Sequence, residues 1–291
     1  MSSSSAEPDL TVIVGSNAGP GTVDRCLAAL EPQREGAEVL VCEPEPSPPG
    51  LRRRYPWARF IELPGATVPE LWTEGIEQSR GRLVALTISP MAPAPNWATT
   101  IRAQHERFDA VAGAIEPGSG LRLSDWAEYL CRYPRDMLPF EAHQCSELPG
   151  DNSAYKRELL ERTRELYRDG FWEPVVNARL AQAGVPLWHT PEMIVRQGRS
   201  AGALAFTRQR LVHGRAHGQQ RGARFGTARN LVGVLGASVV PLLLSFRLLR
   251  ATQAKRRNRL RALLALPFVL VFNVAWAAGE ALGHLDTLRP R

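Results

Sequence analysis

The chain has 291 residues, 44% of them hydrophobic, which is enough for one large α/β domain with an appendage and excludes wholesale disorder. Its net charge of +7 is uneven: residues 1–150 hold 13 basic and 20 acidic side chains, whereas residues 201–291 hold 15 basic and two acidic ones. That last third also carries the two longest apolar runs and does not interleave aromatics with its arginines, so an anionic membrane surface is expected and a nucleic-acid partner is not.

Residues 1–8 read as a disordered start without a basic n-region or an apolar h-region. "DLTVIVGS" (9–16) is a β-branched strand signal, followed by a loop and a helical pattern over "TVDRCLAALEPQ" with Thr22 as N-cap. "AEVLVCEPE" and "ARFIELPG" are further strands, and "VPELWTEGIEQSRG" is a helix stopped by Gly81. "RLVALTIS" is a fourth strand, "NWATTIRAQHERF" a helix and "DAVAGAIEP" another strand. The pattern is irregular over 120–148. "LPGDNSAYKRELLERT" then reads as a glycine turn into a helix, "FWEPVVNARLAQAG" as an amphipathic helix and "VPLWHTPEMIVRQ" as a strand. Strand and helix in alternation imply an α/β domain over 9–200, with a mostly parallel sheet, flanking helices and a ligand site at the carboxyl ends of the strands. Residues 201–229 read as a basic juxtamembrane connector, 230–285 as a hydrophobic helical hairpin and 286–291 as a tail. The four cysteines lack metal-ligand spacing and are expected to be reduced, in a cytosolic domain.

The order of "VIVGSNAGPGTVDRCLAALEPQ", "EVLVCEPE", "ELWTEGIEQSRGRLVALTIS", "LPGDNSAYKRELL" and "DGFWEPVVNARLAQAG" resembles the family 2 glycosyltransferases. These are inverting enzymes of the GT-A, nucleotide-diphospho-sugar transferase fold, and the resemblance covers roughly residues 9–200. It implies a nucleotide-diphosphate sugar as donor. It places Ser16, Asn17, Glu43, Thr87 and Ser89 at the nucleotide sugar, and Asp151 and Asn152 on the acceptor side. Glu173, in "FWEP", takes the place of the general base that deprotonates an acceptor hydroxyl. Two aromatics precede it, and burial beside them would raise its pKa toward neutrality. The structural alternatives are plain: Glu173 as a first-turn helix acid beside Pro174, Glu43 as a solvated acid in "EPEPSPP", and Asp151 with Asn152 as a helix cap.

The metal position departs from the family. Its Asp-X-Asp aligns with Thr87-Ile88-Ser89, and hydroxyls alone are poor ligands for Mg²⁺ or Mn²⁺. Three readings stay open. A metal is held elsewhere, with Asp151 or Glu173 lending an oxygen; or arginines such as Arg80, Arg82, Arg208 and Arg210 hold the diphosphate instead; or the site is inactive. His105 and His143 stand outside any acid–nucleophile pattern and receive no role.

The apolar runs 231–246 and 262–279 reach roughly 24 and 27 Å as helices, short of a hydrocarbon core of about 30 Å, and each contains a proline. Seven basic residues between Arg247 and Arg261 would lie outside the cytosol if both runs crossed, so a re-entrant or interfacial hairpin competes with two spans. The basic flanks, with "VFNVAWAAGEALGHL", which resembles the C-terminal membrane segments of some bacterial family 2 transferases, imply an inner-membrane protein with its catalytic domain in the cytoplasm, and membrane attachment in turn implies a lipid-linked or envelope-glycan acceptor. The competing function is a catalytically inactive scaffold or nucleotide-binding partner of envelope enzymes.

Overall fold

The structure, a computed structural model, describes residues 8–16, 18–199, 202–223 and 226–288. In chain order the elements begin β1 (Leu10–Gly15), α1 (Pro20–Leu30), β2 (Ala37–Glu43), α2 (Pro49–Arg54), β3 (Ala58–Glu62), α3 (Val68–Gln78) and β4 (Leu83–Ile88). They continue with β5 (Met91–Pro93), α4 (Trp97–His105), β6 (Ala110–Pro117), α5 (Leu123–Arg132), β7 (His143–Cys145), β8 (Asn152–Lys156) and α6 (Arg157–Arg162). The last are α7 (Glu173–Gln182), β9 (Leu187–Gln197), α8 (Ala203–Gly222), α9 (Thr227–Gly236), α10 (Val240–Ala254) and α11 (Arg259–Leu288). They fall into two compact units, one of residues 1–118 and 136–198, the other of 119–135 and 199–291.

The first unit is a nine-stranded sheet in the order β3-β2-β1-β4-β8-β6-β9-β5, with β7 also on β9. Strands β1 to β4 are parallel; β8 runs antiparallel between β4 and β6, and β5 and β7 antiparallel on β9. Every residue of β1 and β4 is buried, as befits central strands covered on both faces. Helix α3 is opened by a capping box in which the Thr67 N–H and hydroxyl both donate to Glu70, with Pro69 in its first turn.

Three expectations differ from what is found. Residues 152–156, read as the start of a helix, form β8, because Ser153 and Tyr155 are wholly buried in mid-sheet and helix α6 begins only at Arg157. Thr22 is not an N-cap but lies inside α1, which begins at Pro20. The segment read as a connector is the 20-residue helix α8.

The second unit is helical, and α8 runs along α11 at backbone contact. A Cβ on Gly214 would stand 2.2 Å from Trp276 O, and one on Gly218 2.2 Å from Glu280 O. From the other side, a Cβ on Gly279 would meet Leu211 O at 2.1 Å and one on Gly283 would meet Arg215 O at 2.2 Å. Glycine at every fourth position of both helices lets the two backbones touch, the small-residue packing found between membrane helices. Polar side chains are buried inside: Asn273 donates to Ser245 Oγ at 3.1 Å, and His284 Nδ1 meets Asn230 Oδ1 at 2.8 Å. Large apolar ones face out, among them Leu235, Leu242, Phe246, Leu263 and Val274. Among the described residues one helix, α11, is long and apolar enough to cross a membrane, and α9 with α10, bent by 61°, passes the same test as a pair.

Candidate active site at the carboxyl ends of the strands

Parallel pairing brings the carboxyl ends of β1, β2 and β4 together. The Ser16 N–H donates to Cys42 O at 2.8 Å and the Ser89 N–H to Gly15 O at 3.0 Å. Ser16, Glu43, Thr87 and Ser89 are thereby gathered at one edge of the sheet, whereas Asn17 lies outside the described residues. Glu43 is wholly buried and is not a solvated loop acid. Its carboxylate accepts from the Ser47 N–H at 2.9 Å, the Ser47 hydroxyl at 2.5 Å and Arg52 Nη2 at 2.5 Å, so the proline-rich loop folds back over it.

Glu173 reaches the same edge from α7. Phe171 N–H donates to Pro69 O at 2.8 Å, which ties the approach to α7 onto α3. Gly170 makes that approach at φ +121°, a region that favours glycine. Tyr155 of β8 donates to Asn177 Oδ1 at 3.1 Å, and Asn177 donates to Leu148 O at 3.0 Å, fixing the helix from below. The Glu173 carboxyl carbon then lies 3.1 Å from the place a Cβ on Gly150 would occupy. The same Cβ would meet the Trp72 ring at 2.7 Å, so glycine is required there for the loop to close on the acid. Trp72 is the floor of the site: its indole N–H donates to Thr87 O at 2.9 Å, and its ring also borders Gly15. Asp151 follows Gly150, is largely buried and accepts the Thr87 hydroxyl on its backbone oxygen at 3.0 Å. Thr87, Asp151 and Glu173 thus surround Trp72 and Gly150.

Asn152, Arg80 and Arg82 do not join this group, and Arg208 and Arg210 belong to the second unit. The Asn152 side chain faces inward: its oxygen accepts from Trp97 Nε1 at 2.8 Å, and its amide donates to Ala114 O at 2.9 Å and Met193 O at 2.8 Å. Arg80 and Arg82 precede β4 and so lie at the opposite, amino end of the sheet, where Arg80 pairs with Glu38 at 2.8 Å. Arg208 is exposed on α8, and Arg210, also on α8, packs on Trp276.

The structure adds two residues that the sequence reading passed over, Trp72 and Arg25. Thr22 of α1 is hydrogen-bonded to Ser89 Oγ at 2.9 Å, and Arg25 follows it by three residues, on the same face of the helix. The Arg25 guanidinium covers Gly198, where a Cβ would stand 2.0 Å from Nη2; the Gly198 N–H donates to Pro90 O at 2.8 Å, next to Ser89. No signal distinguished Arg25 among 36 basic residues, whereas Trp72 lay in the quoted helix at a position facing the sheet.

Of the carboxylates expected to lend an oxygen to a cation, Asp151 and Glu173 both lie at this edge, whereas the Asp-X-Asp position supplies hydroxyls alone. The hydroxyls of Thr87 and Ser89 are engaged within the fold, and among the described residues no three Asp, Glu, His or Cys side chains gather.

No family model and no curated protein matches the chain. Among solved structures it is similar to a mannosyltransferase, PcManGT, from Pyrobaculum calidifontis, in complex with GDP-Man and Mn²⁺. The TM-score is 0.57 at 18% identity, over 95% of this chain and 88% of that one. The two share a glycosyltransferase fold.

Proposed function

We propose that the first unit is a family 2-like, inverting glycosyltransferase that uses a nucleotide-diphosphate sugar. The observation that carries it is the delivery of Glu173 to the carboxyl edge of the sheet, over Gly150 and Trp72, in a fold whose similar mannosyltransferase binds GDP-Man. Glu173 takes the proton of an acceptor hydroxyl as that oxygen attacks the anomeric carbon. The bond from the anomeric carbon to the diphosphate breaks, and its electron pair leaves with the nucleotide. Charge develops on the diphosphate beside Ser89, where a guanidinium can meet phosphate oxygens bidentately. Arg25 is our candidate for that cation.

The second unit seats the protein on a membrane. Its buried polar groups and exposed leucines invert the pattern of a water-soluble bundle. An interfacial seat suits it better than two crossings. Helix α8, charged along its length, is packed against the carboxyl half of α11 through Gly279 and Gly283, with Arg215 pairing Asp286 at 2.6 Å and Arg221 pairing Glu280 at 2.9 Å. A cytoplasmic catalytic domain and a lipid-linked or envelope-glycan acceptor follow as part of this proposal.

A second reading, a nucleotide-holding scaffold without turnover, is favoured by the missing carboxylates at Thr87 and Ser89. Calorimetric titration of the full chain in detergent micelles with GDP-mannose and UDP-glucose, with Mn²⁺ and with chelator, separates the two. Binding in chelator followed by sugar transfer supports the transferase without a carboxylate-held metal. Binding without transfer to any lipid or glycan acceptor leaves the scaffold. Binding that requires Mn²⁺ removes Arg25 from its proposed role.

A further inference from the structure

The second unit contains a cavity of about 530 Å³ between α5, α8, α10 and α11, within the size range of ligand sites. One wall is apolar, built by Leu243, Leu244 and Leu248 of α10 and Trp276 of α11. The rest is cationic: Arg135, Arg210, Arg221 and Arg247 line it, against a single carboxylate, Glu280. Glu280 is already paired with Arg221 at 2.9 Å. Arg210 shows the imbalance most clearly. Its guanidinium stacks 4.2 Å above the Trp276 ring, and one terminal nitrogen reaches Asn273 Oδ1 at 3.4 Å, while its Nε is buried without a hydrogen-bond partner. A buried charged donor left open is costly unless something accepts from it. The leucines beside the cavity continue onto a surface where Leu242 and Phe246 are exposed.

We propose that this cavity binds a lipid phosphate, with the anionic head on Arg210 and Arg247 and the first carbons of the chain along Leu243, Leu244 and Leu248. Bidentate guanidinium–phosphate pairing supplies the head contact, and the leucine wall selects an amphiphile over a free ion. The inference rests on the membrane seat proposed for this unit but not on transferase activity.

The test is native mass spectrometry of the full chain released from neutral detergent after incubation with dioleoyl phosphatidic acid, with a polyprenyl monophosphate or with inorganic phosphate. One lipid retained per chain is expected, with retention about tenfold weaker in Arg247→Gln, the equivalent of one charge-assisted hydrogen bond, and weaker still in Arg210→Gln. Arg250→Gln, exposed on α10 and outside the cavity, should retain lipid as the parent does. A preference for the polyprenyl phosphate identifies the site with an acceptor-type lipid; equal retention of both lipids identifies it with the bilayer's own anionic lipids; either supports the proposal. Three results overturn it: equal loss in Arg250→Gln, unchanged retention in Arg247→Gln, or displacement of the lipid by equimolar inorganic phosphate. Should Arg210→Gln fail to fold, Arg247→Gln, exposed on its helix, decides alone. Because the readout is lipid retention, its failure is distinguishable from failure of the transferase reading.

Discussion

At the scale of single residues the proposed chemistry depends on two side chains of opposite charge. Glu173→Gln keeps the shape and the helix start but cannot take a proton. Turnover should fall by about 10²- to 10⁴-fold while nucleotide-sugar affinity is unchanged, because a base acts on the acceptor, not on the donor. Turnover that survives the change would remove Glu173 from the mechanism. Arg25→Ala should do the reverse at the donor: weaker binding of the nucleoside diphosphate, read by calorimetry, by about 1.5–3 kcal/mol for a lost charged hydrogen bond. His105 is a third case, structural and far simpler. Burial lowers its pKa to about 4, against a weaker opposing hydrogen bond between Nδ1 and Phe108 O. The unfolded chain binds its proton below the ordinary value of 6.5, whereas the folded chain resists until about 4. Stability is therefore lost as pH falls through this window. His105→Asn can keep the contact to Phe108 O without a titrating ring, so urea midpoints at pH 7 and pH 5 should differ less in the variant than in the parent.

At the scale of elements, legibility followed periodicity. Strands β1, β2 and β4 are continuous apolar runs, and their carboxyl ends, where Ser16, Glu43, Thr87 and Ser89 gather, could be placed from sequence because parallel strands must align that way. β8 was missed because five residues, "NSAYK", carry too short a pattern and sit directly against a helix signal. That omission mattered: it hid that Asn152 is consumed within the fold, and that Tyr155 steadies α7 from beneath Glu173. The amino-end placement of Arg80 and Arg82 was legible in principle, since both precede their strand. Helix α8 reads as a connector in the sequence because its composition is polar and glycine-rich, yet its glycines at 214, 218 and 222 carry the four-residue spacing of a packing stripe. Gly218→Val tests that stripe. The new side chain has no room beside the Glu280 backbone, so α8 must lift from α11. The α8 amides should then exchange hydrogen at rates near those of an open helix, while those of β1 and β4 stay protected. Unchanged protection in α8 would mean that the stripe does not hold it.

At the scale of the whole molecule, the proposed membrane seat has to suit a chain with an acidic first half and a strongly basic last third. Length alone left two spans and an interfacial hairpin equal. The packing inside the helical unit supports the interfacial seat proposed above. In that proposal the carboxyl half of α11 stays out of hydrocarbon, because α8, bearing Arg208, Arg210, Arg215 and Arg221, is packed on it at backbone contact and through the pairs to Glu280 and Asp286. The remaining amino-terminal part of α11, before the level of Phe272, where Phe206 of α8 packs at a ring distance of 4.7 Å, is too short to cross a core of about 30 Å. An in-plane seat keeps the basic stretch from Arg247 to Arg261 on the side where anionic headgroups lie, which a double crossing would not. With the four native cysteines replaced by serine, the expected outcome is that Arg257→Cys, and separately a cysteine appended after Arg291, both react with a membrane-impermeant maleimide in inverted vesicles and neither reacts in intact spheroplasts. Position 257 reactive only from the outer face would establish two crossings. A split, with 257 inside and the carboxyl terminus outside, would make α11 a true span and would require α8 to leave its contact with Gly279 and Gly283 once the protein meets lipid.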